Sequence, residues 1–75
     1  MKTYKNLSGS SGIVAYETGK DFIKIKFDGE SGIYTYNYKQ PGKILVEKMK
    51  LLALKGEGLG NFVIEQVGAN YASKK

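Results

Sequence analysis

The chain contains no cysteine, no histidine, no arginine and no tryptophan, and its single proline is Pro41. Without cysteine there is neither a disulfide framework nor a thiolate metal site, and without histidine most zinc, copper and nonhaem iron centres are excluded as well. The same two absences remove Ser-His and Cys-His nucleophiles and histidine acid–base chemistry. A carboxylate or lysine site would need a cleft that 75 residues hardly enclose alone. The sequence thus points to a protein that is not an enzyme and that holds no cofactor and no metal. No segment approaches the roughly 20 apolar residues that span a bilayer, and Met1-Lys2-Thr3-Tyr4-Lys5 leads into no apolar signal core, so a soluble cytoplasmic protein with no membrane role is expected.

With no arginine, all 12 basic residues are lysines, and against seven carboxylates they give a formal charge of +5. Lysine offers phosphate a point charge but has no planar fork to read guanine or grip a phosphate with two hydrogen bonds. Any nucleic-acid binding is therefore expected to be electrostatic and weakly sequence-selective.

What the chain does have is tyrosine at every second position of Gly32-Ile33-Tyr34-Thr35-Tyr36-Asn37-Tyr38, the spacing that puts three rings on one face of a β-strand. Before it, Ile13–Thr18 is a β-prone segment broken by Gly19-Lys20, and Ile23, Ile25 and Phe27 alternate with Lys24 and Lys26 in the next strand. Asp28-Gly29-Glu30-Ser31-Gly32 is a turn, and the three segments form an antiparallel meander. After Gln40-Pro41-Gly42 the period changes to helical over 44–55. There Leu45, Met49, Leu52 and Ala53 share one face with Val46 at its edge, while Ile44, Leu51 and Leu54 lie opposite. A helix with two apolar sides belongs between the sheet and a second partner, either the C-terminal helix, another protomer or another protein.

Gly56 suits the left-handed position that closes this helix, and Asn61 is the expected N-cap of a second helix over Phe62–Val67, ended by Gly68. The fold class is α+β, a three-stranded antiparallel meander followed by two helices packed on one face. Residues 1–11 read as a flexible lead-in, 12–71 as one domain and 72–75 as a frayed basic tail. Gly56-x-Gly58-x-Gly60 joins two helices and lacks the strand before it and the Gly-Lys-Ser/Thr ending of a phosphate loop, so capping explains the glycines. Asp28-x-Glu30 is a solvated hairpin tip without calcium-loop spacing.

The register of the tyrosine strand decides what its rings do. A five-residue loop over 28–32 places Tyr34 and Tyr36 beside Lys26 and Lys24, a surface on which rings stack on bases and ammonium groups follow phosphates. A four-residue loop over 28–31 places the same rings beside Ile25 and Ile23, in the core. Ile33, Thr35 and Asn37 alternate with the tyrosines and two of them are polar, which makes the tyrosine face the more apolar one.

In order, Ser11-Gly12-Ile13-Val14-Ala15-Tyr16-Glu17, the alternating Phe22–Phe27 strand, the central Tyr34-Thr35-Tyr36 and the closing Gly56-x-Gly58-x-x-Asn61-Phe62-x-x-Ile64 resemble the KTSC domain. That family occurs at the C-terminus of some lysyl-tRNA synthetases and as small free-standing bacterial proteins, and is marked by a central Y-x-Y. The resemblance spans about residues 10–71. It departs beside the motif, where Gln40-Pro41 follows an extra tyrosine in place of the usual Val-Pro and the preceding loop is one residue longer. It implies RNA as a partner. The leading expectation is a noncatalytic module that binds RNA or single-stranded nucleic acid through Tyr34, Tyr36 and Tyr38 with Lys24, Lys26, Lys39 and Lys43. The rival is a protein-interaction or self-association module that uses Ile44, Leu51 and Leu54.

Overall fold

The computed structural model describes residues 1–7 and 12–75. Over the described residues the chain is α+β, with an antiparallel sheet of five strands and two helices. The strands are β1 (Lys2–Thr3), β2 (Ile13–Thr18), β3 (Phe22–Phe27), β4 (Ile33–Asn37) and β5 (Ser73–Lys74), in that order across the sheet, each antiparallel to its neighbour. The three expected strands form its centre, and the correction lies at the edges. Lys2 and Thr3, from the expected lead-in, pair with Tyr16 and Ala15, and Ser73 and Lys74, from the expected tail, pair with Thr35 and Tyr34. The rest of that lead-in, residues 8–11, lies outside the described residues.

Across β3 and β4, Ile23 faces Tyr36, Ile25 faces Tyr34, and Lys24 and Lys26 face Thr35 and Ile33. This is the register of the four-residue loop. It follows from burial: the inner face of the sheet is covered by both helices, and a slip of one residue would put Lys24 and Lys26 in the core. Tyr16, Ile23, Ile25 and Tyr36 from the sheet join Val46, Met49 and Ala53 from the first helix and Leu59, Val63 and Val67 from the second in one cluster. Each fully buried side chain of this size contributes about 1.5–3 kcal/mol, which is how so small a domain offsets its ordering cost.

Helix α1 (Lys43–Lys55) ends at Gly56, whose φ of 83° is the left-handed conformation that glycine adopts without strain. Its inward residues are Val46, Met49 and Ala53, with Leu45 and Leu52 packed beside them. Helix α2 (Leu59–Phe62) continues into a π-helical turn at Val63–Val67, closed by a bond from the Gly68 N–H to the Val63 carbonyl at 2.6 Å. The second helix starts earlier than an Asn61 cap would have it. Its first residue, Leu59, is fully buried, and the Leu59 N–H donates to the Tyr4 hydroxyl at 3.3 Å, a cap supplied by the N-terminal segment. Tyr4 itself is 3% exposed and meets Tyr16 edge to face, so residues beside β1 are part of the core.

Candidate functional site

The helices cover one face of the sheet and leave the other open. On the open face the period-2 alternation collects Glu17 from β2, Phe22, Lys24 and Lys26 from β3, and Ile33, Thr35 and Asn37 from β4. Lys24 and Lys26 stand on the central strand. Neither forms an ion pair with a carboxylate among the described residues. The Lys24 ammonium lies 5.5 Å from the centre of the Phe22 ring, and Lys26 donates to the Glu30 carbonyl at 3.2 Å. The Phe22 ring lies over Gly19 in the β2–β3 hairpin, where any Cβ would overlap it. The result is a shallow surface of two ammonium groups, one half-exposed ring and aliphatic and hydroxyl groups between them.

The tyrosines are on the inner side. Tyr36 is 1% exposed. Tyr34 is half-buried, meeting Phe27 edge to face at 5.3 Å and Tyr71 at 4.7 Å, and its hydroxyl donates to Glu30 at 2.9 Å. Tyr34 and Tyr36 therefore share no face with Lys24 and Lys26. Tyr38 follows β4 and ties elements together: its hydroxyl lies 2.6 Å from a Glu47 carboxylate oxygen and 3.1 Å from the Lys20 carbonyl, joining α1 to the β2–β3 hairpin. Lys43 and Lys50 stand 5.7 and 5.6 Å from its ring centre. Among the described residues, Tyr38 is the one expected tyrosine with an expected lysine, Lys43, against its ring, while Lys24 and Lys26 stand together on the other face and Lys39 lies exposed on the turn between β4 and α1.

Electrostatics follow these contacts. The hydrogen bond from Tyr34 and the nearby Lys74 ammonium hold the Glu30 carboxyl below its ordinary range, while the Tyr38 hydroxyl and Lys50 do the same for Glu47. Burial, reinforced by Tyr34 and Tyr71, pushes the Tyr36 phenol up to about 12. Among the described residues no group of three or more acidic side chains is placed to hold a metal ion, and no helix is long and apolar enough to cross a membrane.

The second apolar side of α1 is uncovered. Ile44, Leu51 and Leu54 are 86%, 64% and 60% exposed, because the second helix packs beside α1 and leaves its solvent face open. In the glycine turn after α1 the Gly56 N–H goes to the Leu52 carbonyl, closing the helix, and the Leu59 N–H goes to the Tyr4 hydroxyl. Two residues, Phe22 and Tyr71, were not singled out by sequence. Phe22 was visible as an aromatic next to alternating lysines, but its partner face was not. Tyr71 lies beyond Gly68 in a stretch without periodicity, and only the return of the chain to β5 sets it against Tyr34.

No family model matches the chain, and no curated protein or solved structure is significantly similar to it.

Proposed function

We propose that this domain is a noncatalytic module that lays single-stranded nucleic acid, RNA in the first instance, across the open sheet face. Lys24 and Lys26 would approach phosphates there while the Phe22 ring and the aliphatic surface of Ile33 meet bases. The observation that carries this reading is a central strand presenting two ammonium groups without carboxylate partners on a face that no helix covers. Lys39 and Lys43 would extend the positive surface at the strand-to-helix corner. The likeness to the KTSC domain supports RNA as the partner class, and the lack of guanidinium groups fits binding by charge over sequence. Tyr34, Tyr36 and Tyr38 serve the fold in this scheme rather than the ligand. Titrating isotope-labelled protein with a short single-stranded RNA should move amide signals of β2, β3 and β4, and a response confined to α1 would remove the proposal.

A second reading stands on the exposure of Ile44, Leu51 and Leu54, three aliphatic side chains on the solvent side of one helix. It makes α1 a docking surface for another protein or a second copy. Sedimentation of the purified chain at high concentration separates the two: a salt-insensitive dimer abolished by Leu51→Glu supports this reading, and a monomer leaves only a foreign partner.

A further inference from the structure

Between the inner face of β4 and the π-helical turn lies a cleft of about 500 Å³, lined by Phe27, Glu30, Tyr34, Tyr36, Val63 and Tyr71, with Gly68 and Ala69 at its side. That volume is within the range of small-molecule sites, roughly 300–1,000 Å³. Its rings stand nearly at right angles: 85° between Phe27 and Tyr34, 89° between Tyr34 and Tyr71, and 83° between Tyr36 and Tyr71. Such walls offer a planar guest both faces and edges, the two geometries that aromatic pairs favour. Gly68 has φ 58° and ψ −134°, and a Cβ there would meet nothing within 4 Å, so the side of the cleft is open.

The polar groups of this cleft differ in what remains to be satisfied. The Tyr34 hydroxyl is spent on Glu30, and Glu30 also binds Lys74 at 3.2 Å, whose ammonium lies 5.2 Å from the Tyr34 ring centre. The carboxylate at the rim and the ring face beside it thus already hold a cation from the chain itself. The hydroxyls of Tyr36 and Tyr71 make no hydrogen bond among the described residues. Tyr36 is 1% exposed, and among the described residues no side-chain oxygen is both sealed from solvent and unpaired, so its hydroxyl is the part that reaches the cleft. With its titration displaced upward, this phenol keeps its proton at neutral pH and can donate it. Because no protein group among the described residues accepts from it, this hydroxyl is left to water or to a guest that enters the cleft.

We infer that this cleft is a binding site for a small neutral planar ring carrying a hydrogen-bond acceptor such as a carbonyl, with the ring held among Tyr34, Tyr71 and Val63 and the acceptor on the Tyr36 hydroxyl. The site is on the opposite side of the sheet from Lys24 and Lys26, so it stands or falls independently of nucleic-acid binding. The test is an NMR titration with three probes of similar size: benzamide, which is neutral with a carbonyl, toluene, which has no acceptor, and benzylamine, which is a cation. Benzamide should move the amide signals of Gly68, Ala69 and Tyr71 and bind about tenfold more tightly than toluene, the share of one hydrogen bond. Tyr36→Phe keeps the ring and should bring benzamide to the level of toluene while leaving toluene unchanged. Ala69→Leu, at an exposed position, should fill the side of the cleft and abolish both. Benzamide shifts that are absent or map elsewhere, binding undiminished in Tyr36→Phe, or benzylamine binding more tightly than benzamide would each overturn the inference.

Discussion

Tyr36 puts a large ring where a 75-residue domain most needs interior volume, packed among Ile23, Ile25 and the helices. Truncating it to alanine removes a fully buried aromatic, a change that costs about 3–5 kcal/mol. A domain of this size has little more to lose. Tyr36→Ala should therefore be largely unfolded by circular dichroism at room temperature. Tyr36→Phe should melt close to the wild type, because the hydroxyl it removes leaves no protein group unpaired. The same phenol predicts an alkaline response. Its titration in the folded state lies at about 12, above the ordinary value of 10.0, so between these pH values the unfolded chain has released a proton that the folded chain retains. Stability from this group is complete below pH 10 and falls as pH rises toward 12. Denaturant melts of wild type and Tyr36→Phe should agree below pH 10 and diverge across that interval, because only the wild type loses stability through this phenol. At the acid end Glu30 acts in the opposite sense: its depressed carboxyl contributes stability that is present above the ordinary carboxylate range and disappears as pH falls through the folded value.

At the scale of elements, α1 is the piece whose sequence and structure agree best and whose role differs most between readings. Its two apolar sides were legible from spacing alone, and the structure buries Val46, Met49 and Ala53 while leaving Ile44, Leu51 and Leu54 in water. Leu51→Glu should change stability by no more than about 0.5 kcal/mol in a thermal melt, because its side chain gives up little on exposure. A large loss of stability would show instead that the stripe is covered in solution. The central strands were equally legible, since Ile23-Lys24-Ile25-Lys26-Phe27 and the tyrosine run alternate over enough residues to display a period of two. β1 and β5 were not, because two residues cannot display any period and their pairing comes from chain ends returning across the domain. The start of the second helix was misplaced for a related reason. Asn61 is a good capping residue, but burying Leu59 and accepting its N–H on the Tyr4 hydroxyl outweigh a local side-chain cap. The register of β3 against β4 lay between these cases: either loop length was compatible with the turn residues, and only the covering of one sheet face by helices selects the four-residue loop.

For the whole molecule the question is whether its charge acts as a diffuse cloud or through a face. The formal charge of +5 would attract any polyanion weakly, so loss of RNA binding after removing lysines proves little unless total charge is held constant. Two double variants meet that condition. Lys24→Glu with Lys26→Glu changes the charge by −4, from +5 to +1, on the open sheet face. Lys48→Glu with Lys55→Glu makes the same change on the solvent side of α1. All four residues lie outside the core, so both proteins should fold. If the sheet face holds the strand, the first variant loses at least about tenfold in affinity for a short single-stranded RNA. Its dependence of log affinity on log salt also flattens by about 1.4, the contribution of two phosphate contacts at roughly 0.7 each. The second variant should keep most of its affinity and nearly all of its salt slope, because its lysines stand where no strand would run. Equal losses in both would mean that RNA responds only to net charge, and the open face would then have no claim to be a site.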